Sequence, residues 1–131
     1  PFTKEDIGPL HSDKWFWDVD KTNRNYKIPP NKRKVRCWIS LYCNKLNGLK
    51  GVPYSQNKKY KYTIKYKYTI KYKDDRKKPV FDETKYNLSP VPMDSTPGNA
   101  IIFNDNLLHG GCLNQSNFTR LSLEFTMFVT S

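Results

Sequence analysis

Cysteine and histidine are scarce in this sequence, and long apolar runs are absent. The cysteine pattern argues against a disulfide-rich protein, and the lack of long apolar runs argues against a membrane-spanning one. The 131 residues contain three cysteines and two histidines. The cysteines (Cys37, Cys43 and Cys112) form no CxxC pair and are odd in number, which favours reduced, buried thiols in a cytoplasmic setting over a disulfide framework. No stretch approaches the roughly 20 apolar residues of a membrane span, and no secretory signal is visible. We therefore expect a cytoplasmic protein without a membrane span.

Acidic residues are also few, but the resulting positive charge is local. The chain carries a formal net charge of +11. Residues 58–78 hold nine lysines and Arg76 against Asp74 and Asp75, so this segment alone contributes +8. The length and composition suit one globular domain. We therefore expect a single domain over residues 1–131, with the basic segment 57–78 inserted into it.

The basic segment contains a repeat, KYKYTIKYKYTIKYK at residues 59–73. Tyrosine or isoleucine occupies every even position and lysine or threonine every odd one, a period of two that predicts a long strand or a sheet edge. The lysines and tyrosines could bind nucleic acid or another polyanion. Alternatively, the repeat is an expanded surface insertion between core strands. We favour the second interpretation, because a repeat this regular can arise by copying alone.

Strand patterns dominate the remaining sequence, and helix patterns are nearly absent. Residues 35–43, VRCWISLYC, alternate as a half-buried strand does, with Val35, Cys37, Ile39 and Leu41 on the apolar face. Residues 99–109, NAIIFNDNLLH, form a second apolar run. Residues 119–129, TRLSLEFTMFV, place five apolar side chains on one face and polar ones on the other. These patterns predict a mainly β fold, a barrel or a sandwich.

Both histidines occur beside other functional groups. In GPLHSDKWFW, His11 and Asp13 would point the same way from an extended strand. His109 closes the apolar run 99–109 and is followed by two glycines, which permit a tight turn. His11 and Asp13 alone could be a structural ion pair. With His109 they have the composition of the facial triad of non-haem Fe(II) oxygenases.

An arginine follows the second histidine at a useful distance. Enzymes with this triad hold 2-oxoglutarate, whose far carboxylate needs a cation such as a guanidinium. Arg120 lies eleven positions after His109, and Ser122 shares its face. If 99–109 and 118–129 pair as antiparallel neighbours, Arg120 lies about one strand spacing from His109. A buried arginine without a carboxylate partner would require an anion.

These elements, in this order, resemble the Fe(II)/2-oxoglutarate-dependent oxygenases: H-x-D, a distal histidine, ten residues, then R-x-S. Their surroundings resemble the phytanoyl-CoA dioxygenase-like branch. The similar segments are PLHSDKWFW, VRCWISL, NGLKGVPYSQ, TPGNAIIFNDNLLHGG and NQSNFTRLSLEF. The likeness covers most of residues 7–129 and is interrupted by the repeat.

The resemblance implies a double-stranded β-helix, a jelly-roll or cupin-like barrel. It implies that His11, Asp13 and His109 bind Fe(II), that Arg120 anchors 2-oxoglutarate and that Ser122 assists. Tyr54 and Gln56 replace the glycine and histidine usual in the third segment. The resemblance also implies a helical N-terminal region, and because only ten residues precede His11 here, we expect the sequence to be a fragment that lacks this region. We expect that missing region or a partner chain to cover the apolar face of residues 121–129.

The expected function is oxidation of a small molecule, with Fe(II), 2-oxoglutarate and O2 required. Hydroxylation of a lipid, a specialised metabolite or a carbohydrate-type substrate is the expected reaction, and nucleic acid is not an expected partner. Trp15, Trp17 and Trp38 are candidates for the substrate pocket, although aromatic residues in a small β domain also build cores. Two alternatives remain: a polyanion-binding module built on the repeat, or an inactive truncated oxygenase remnant.

Overall fold

Eight strands, one α-helix and two short 3-10 helices (Ser55–Asn57 and Glu83–Lys85) make up the secondary structure of residues 7–19, 28–68 and 73–130, the part of the chain that this computed structural model describes. The helix is α1 (Asp13–Val19). The strands in these ranges are β1 (Lys32–Tyr42), β2 (Leu49–Gly51), β3 (Thr63–Tyr68), β4 (Lys73–Val80), β5 (Val91–Pro92), β6 (Ala100–Asn104), β7 (His109–Gly111) and β8 (Leu121–Thr130). No helix among the described residues is both long enough and apolar enough to cross a membrane.

The strands form small antiparallel sheets. One sheet has the order β6-β1-β8, a second has the order β5-β2-β7, and β3 pairs with β4. The first two sheets meet through the buried side chains of Trp38, Leu49 and Phe103. The prediction of a mainly β fold is confirmed, and the two sheets are consistent with a jelly-roll-like arrangement.

The apolar core has two parts. The first is the contact between the sheets, where Gly48 has no space for a side chain because a Cβ would lie 2.0 Å from the Ser95 hydroxyl oxygen. The second joins α1 to the base of the β3–β4 hairpin. Its buried members are Leu10, Trp15, Val52, Phe81 and Leu108. The residues that flank the hairpin therefore pack against α1 and hold it in place.

The predicted pairing of residues 99–109 with 118–129 is wrong. β6 and β8 are not hydrogen-bonded neighbours, because β1 lies between them and pairs with both. The run 99–109 is not one strand either. The Asn104 side chain accepts a hydrogen bond from the backbone of Asn106, and Leu107 donates to the Asn104 carbonyl. This turn ends β6, so His109 begins a new strand instead of closing the old one.

The expectation that the H-x-D segment is extended is only partly right. His11 is extended and forms an isolated bridge with His109, but α1 starts at Asp13. Trp15 and Val19, one helical turn apart, are both buried. Lys14 and Asp18 form an ion pair at the same spacing on the exposed side. This spacing of three to four residues supports one short helix that the search for alternating patterns missed.

The alternation in β1 predicts the strand correctly but its burial incorrectly. Trp38 and Ser40, assigned to the polar face, are buried, whereas Leu41 is exposed. The cause is the second sheet, which covers the face that carries Trp38. The opposite, outer face exposes large apolar side chains: Ile102, Leu121, Leu123 and Phe125 are 61%, 57%, 53% and 43% exposed. Cover for this outer face by another segment or chain stays a prediction.

The lysine–tyrosine repeat forms strand structure where it is described. Residues 63–68 pair with β4, and residues 69–72 lie outside the described part of the chain. Tyr62 stacks on Trp15 with ring centroids 5.0 Å apart, and Tyr60 packs on Phe81 and Tyr86. Lysines at the odd positions 59, 61 and 65 are exposed. The start of the repeat thus turns its tyrosines inward, away from any stacked base.

Candidate metal centre

Two histidines and one aspartate meet beside strand β7. The backbones of His11 and His109 exchange two hydrogen bonds, of 2.9 and 3.0 Å, which place the two imidazoles side by side. Asp13 lies two residues after His11, at the first position of α1. One ligand atom from each of the three residues lies within 4.8 Å of the other two. The structure therefore brings together the triad that the sequence predicted.

The backbone sets which nitrogen of each imidazole is available. His11 Nδ1 lies 3.2 Å from the Pro9 carbonyl oxygen, and His109 Nδ1 lies 3.0 Å from that of Leu107. A carbonyl oxygen only accepts, so each Nδ1 must carry the proton and donate it. Each Nε2 then presents a lone pair beside the carboxylate of Asp13, at 3.9 Å for His11 and 3.7 Å for His109. This is the arrangement in which histidine binds a metal.

The two imidazoles differ in their surroundings. His109 is 3% exposed, and its ring contacts that of Phe103. Burial lowers the pKa of His109, and the neighbouring His11 lowers it further. His109 therefore stays neutral to a lower pH than an exposed histidine does. The side chain of His11 is one-third exposed, so solvent reaches the triad from the His11 side.

Arg36 is a charged neighbour of the triad that the sequence analysis missed. Its Nε lies 2.7 Å from Asp13 Oδ2, although the N–H does not point at that oxygen, and both atoms are buried without a hydrogen bond to any residue that the structure describes. Nη1 donates to the Thr126 hydroxyl and Nη2 to Glu124. Arg36 thus ties the triad carboxylate to strand β8. The register Arg36↔Thr126 was the signal, but it could be read only after β8 was known to pair with β1.

The donor set fits a divalent iron. Two neutral imidazole nitrogens and one carboxylate are the ligands of the facial triad. Asp13 Oδ2 is ion-paired with Arg36 but receives no aligned hydrogen bond from the described residues, so it keeps lone pairs that a bound cation could use. The pairing of each Nδ1 with a carbonyl also holds the rings in the orientation that binding needs.

Arg120 does not lie where the predicted strand pairing put it. It precedes β8, and its Nη1 donates to the backbone carbonyls of Asn47, Gly48 and Cys112 at 2.7, 3.0 and 2.8 Å. Nη2 lies 3.0 Å from the position that a Cβ on Gly111 would occupy. Gly111 is two residues beyond His109 on β7, about 7 Å along the strand. The guanidinium is therefore still within reach of the triad, by a different route through the fold.

The remaining candidates have mixed positions. Ser122 is half-buried and is the cross-strand partner of the fully buried Ser40. Trp15 and Trp38 belong to the two core clusters. The ammonium of Lys34 lies 4.2 Å above the ring of Trp17. Phe16 lies edge-on to the ring of His11, at 5.6 Å between centroids, and is the aromatic side chain that borders the exposed side of the triad.

Comparison with known proteins agrees with this geometry. The family model for phytanoyl-CoA dioxygenase (PhyH) matches residues 1–122, a range that contains the triad, Arg120 and Ser122. No curated protein and no solved structure gives a significant match to the chain.

Proposed function

Since the chain belongs to the phytanoyl-CoA dioxygenase family, we propose that it is an Fe(II)- and 2-oxoglutarate-dependent dioxygenase that hydroxylates a small molecule. The family supports iron- and 2-oxoglutarate-dependent oxygenase chemistry in general. The observation that carries the proposal for this chain is the approach of His11, Asp13 and His109 to within 4.8 Å of one another. Residues 1–131 act as one catalytic unit in this proposal, and 57–78 as an insertion in it.

The triad residues would hold the metal through His11 Nε2, His109 Nε2 and a carboxylate oxygen of Asp13. Iron bound there supplies the activation of O2 that converts 2-oxoglutarate to succinate and CO2 and hydroxylates a C–H bond. The chain orients the ligands. The carbonyls of Pro9 and Leu107 fix the imidazoles, and Arg36 fixes the carboxylate. These contacts favour one ligand geometry before any metal arrives.

Arg120 would bind the far carboxylate of 2-oxoglutarate. Its Nη1 is held by three carbonyl oxygens, so the orientation of the guanidinium is set in advance. Nη2, above Gly111, donates to none of the described residues and would donate to an anion. The distance of about two strand residues between Gly111 and His109 suits a five-carbon diacid that reaches from the metal to the arginine. Ser122, two residues after Arg120, would assist the binding of that carboxylate through its hydroxyl.

The substrate would approach from the exposed side of His11, past Phe16. A lipid, a specialised metabolite or a carbohydrate-type molecule would suit the proposed reaction, with Trp17 as a candidate contact.

The three cysteines of the chain are free and buried. Their odd number and the lack of a disulfide among them support a cytoplasmic location in this proposal.

Anaerobic titration with Fe(II) and 2-oxoglutarate tests the proposal directly. We expect a weak visible charge-transfer band that requires both additions. Asp13→Ala should weaken it by loss of a metal ligand, and Arg120→Ala by loss of the co-substrate anchor. A folded protein without the band, or with a band unchanged in both variants, would contradict the proposal.

The same samples distinguish an active enzyme from an inactive remnant. A cooperative thermal transition, with near-UV circular dichroism from the buried tryptophans, would show that the chain has a packed core. A chain that lacks that transition would support the remnant. The band must therefore be measured on protein that passes this check.

A further inference from the structure

An arginine and a carboxylate lie side by side at the metal centre without making the hydrogen bond that their distance allows. Arg36 Nε is 2.7 Å from Asp13 Oδ2, which is the length of a charge-assisted hydrogen bond. The N–H on Nε nevertheless points elsewhere, and both atoms are buried without a hydrogen bond to any residue that the structure describes. A buried donor and a buried acceptor in this arrangement require an explanation.

Strand β8 holds the far end of the guanidinium, and this accounts for the orientation of Arg36. Nη1 donates to the Thr126 hydroxyl at 2.6 Å, and Nη2 donates to the Glu124 carboxylate. Thr126 is the cross-strand partner of Arg36, and Glu124 lies two residues earlier on the same face of β8. Because the guanidinium is planar and rigid, two bonds at its outer nitrogens also fix the direction of the N–H on Nε. A rotation that aimed this N–H at Asp13 would weaken both bonds.

The three charged groups lead from the surface to the buried carboxylate. The side chain of Glu124 is 42% exposed, that of Arg36 is 19% exposed and that of Asp13 is 11% exposed. An ion pair as open to solvent as that of Glu124 contributes little to the stability of a fold. The position of Glu124 does, however, determine which way the buried part of Arg36 points.

The direction of this N–H matters because a metal at the triad would need the same oxygen. A carboxylate oxygen that accepts an aligned N–H from an arginine commits a lone pair to that donor. A cation would then have to break the hydrogen bond before it could bind to Oδ2. In the observed arrangement the positive charge of Arg36 attracts the Asp13 carboxylate, but the lone pairs of Oδ2 are not committed to an aligned donor among the described residues.

From these contacts we propose that Glu124 and Thr126 are positioning residues of the metal centre: they hold Arg36 on β8 and so keep it from hydrogen-bonding to the ligand oxygen of Asp13. The inference rests on the proposed function, because it takes the triad residues as metal ligands. When Glu124 is removed, Arg36 turns onto Asp13, forms the missing hydrogen bond and competes with Fe(II) for the carboxylate. The metal affinity of the chain is thus set in part by a strand that supplies none of the three proposed ligands.

Anaerobic calorimetric titration of the 131-residue chain with Fe(II) alone tests this role. We expect Glu124→Ala to weaken Fe(II) binding by about tenfold or more, because the metal-free chain gains a hydrogen bond between charged groups that the metal must break. Thr126→Val changes no charge and should weaken binding by about threefold, since the lost bond is to a neutral acceptor. Asp94→Ala is the matched control. Asp94 is 50% exposed and paired with Lys45, so its loss removes the same charge without touching Arg36 and should change binding by less than about twofold.

A double-mutant cycle with Arg36→Met separates this positioning from simple attraction of the metal by a negative charge. In the Arg36→Met background, Glu124→Ala should change Fe(II) affinity by less than about twofold, because no guanidinium is left to turn. Equal weakening in both backgrounds would assign the effect to the charge of Glu124 and would refute the proposal. Unchanged or tighter binding in Glu124→Ala would refute it too, while the metal centre itself would stand. A wild-type chain that binds no Fe(II), although its thermal transition in EDTA shows it to be folded, would overturn the metal centre and this proposal together.

Discussion

Gly111 gives the sharpest test of how Arg120 is held, because one methyl group reaches the guanidinium. In Gly111→Ala, the new Cβ would lie 3.0 Å from Arg120 Nη2 and 3.6 Å from both Cζ and Nη1. Contacts of 3.0 Å to carbon are too close, so the guanidinium must move by a few tenths of an ångström. The three carbonyl oxygens that hold Nη1 oppose that movement. In this variant the new methyl group displaces the guanidinium, and the three hydrogen bonds of Nη1 resist that displacement.

The size of the effect follows from the bonds at stake. A hydrogen bond to a charged group contributes about 1.5 to 3 kcal/mol. If the displacement weakens the contact of Arg120 with the far carboxylate of 2-oxoglutarate by the lower value, the affinity falls about tenfold. The metal ligands are untouched, so kcat at saturating 2-oxoglutarate should change by less than about twofold.

Gly110→Ala is the matched control. Its Cβ would meet Leu10 Cδ2 at 3.5 Å, an ordinary contact, and neither glycine has a positive φ that alanine would strain. The assay is the dependence of succinate formation, or of the charge-transfer band, on 2-oxoglutarate concentration. A tenfold shift in Gly111→Ala with none in Gly110→Ala supports the arrangement. Equal behaviour of the two variants would refute the placement of Arg120 above Gly111.

Three further predictions concern the metal centre and its supports. Arg36→Met should destabilise the metal-free chain by about 2 to 3 kcal/mol, because it leaves the Asp13 carboxylate buried and unpaired; urea unfolding should show Fe(II) restoring part of this loss, and wild-type stability in EDTA would argue against the ion pair. The metal-free chain should lose stability as the pH falls below about 6.5, since unfolded His109 takes up a proton that folded His109, with its lowered pKa, resists. His109→Gln should flatten that part of the curve, and an unchanged slope would assign it to other groups. Gly48→Ala should cost about 2 kcal/mol or more, since its Cβ would overlap Ser95 and approach Trp38 within 2.8 Å; thermal melting beside Gly110→Ala checks this.

The longer strands could be predicted because short-range alternation specifies them, whereas the triad was indicated by the combination and order of the histidine and aspartate motifs. Alternation in residues 119–129 defines β8 almost to the residue, and the approach of His11 to His109 follows from the order of motifs. Strand order could not be predicted, because β6 and β8 carry no local sign that β1 separates them. The structure brings Arg120 to Gly111 on β7 through a strand arrangement that the sequence did not predict, and its role as the anchor of 2-oxoglutarate stays a prediction.

Side chains whose role depends on two strands at once also escaped prediction. Arg36 looked like an ordinary polar residue of a half-buried strand, and its contact with Asp13 depends on the packing of the sheet against α1. The helix was missed because seven residues rich in aromatics give few turns over which to detect a period of 3.6. The depth of Trp38 depends on a second sheet that no local pattern reports.

His11 and His109 are far apart in the sequence but form a β-bridge, so a metal bound by both would close the long loop between them. A cation held by both histidines would cross-link residues from near the first and last strands, and such a long loop carries a large entropy of closure in the unfolded chain. Occupancy of the site should therefore stabilise the whole fold and not only a local turn. A cation bound there should therefore slow digestion of the whole chain by a protease, and not only cleavage near the two histidines.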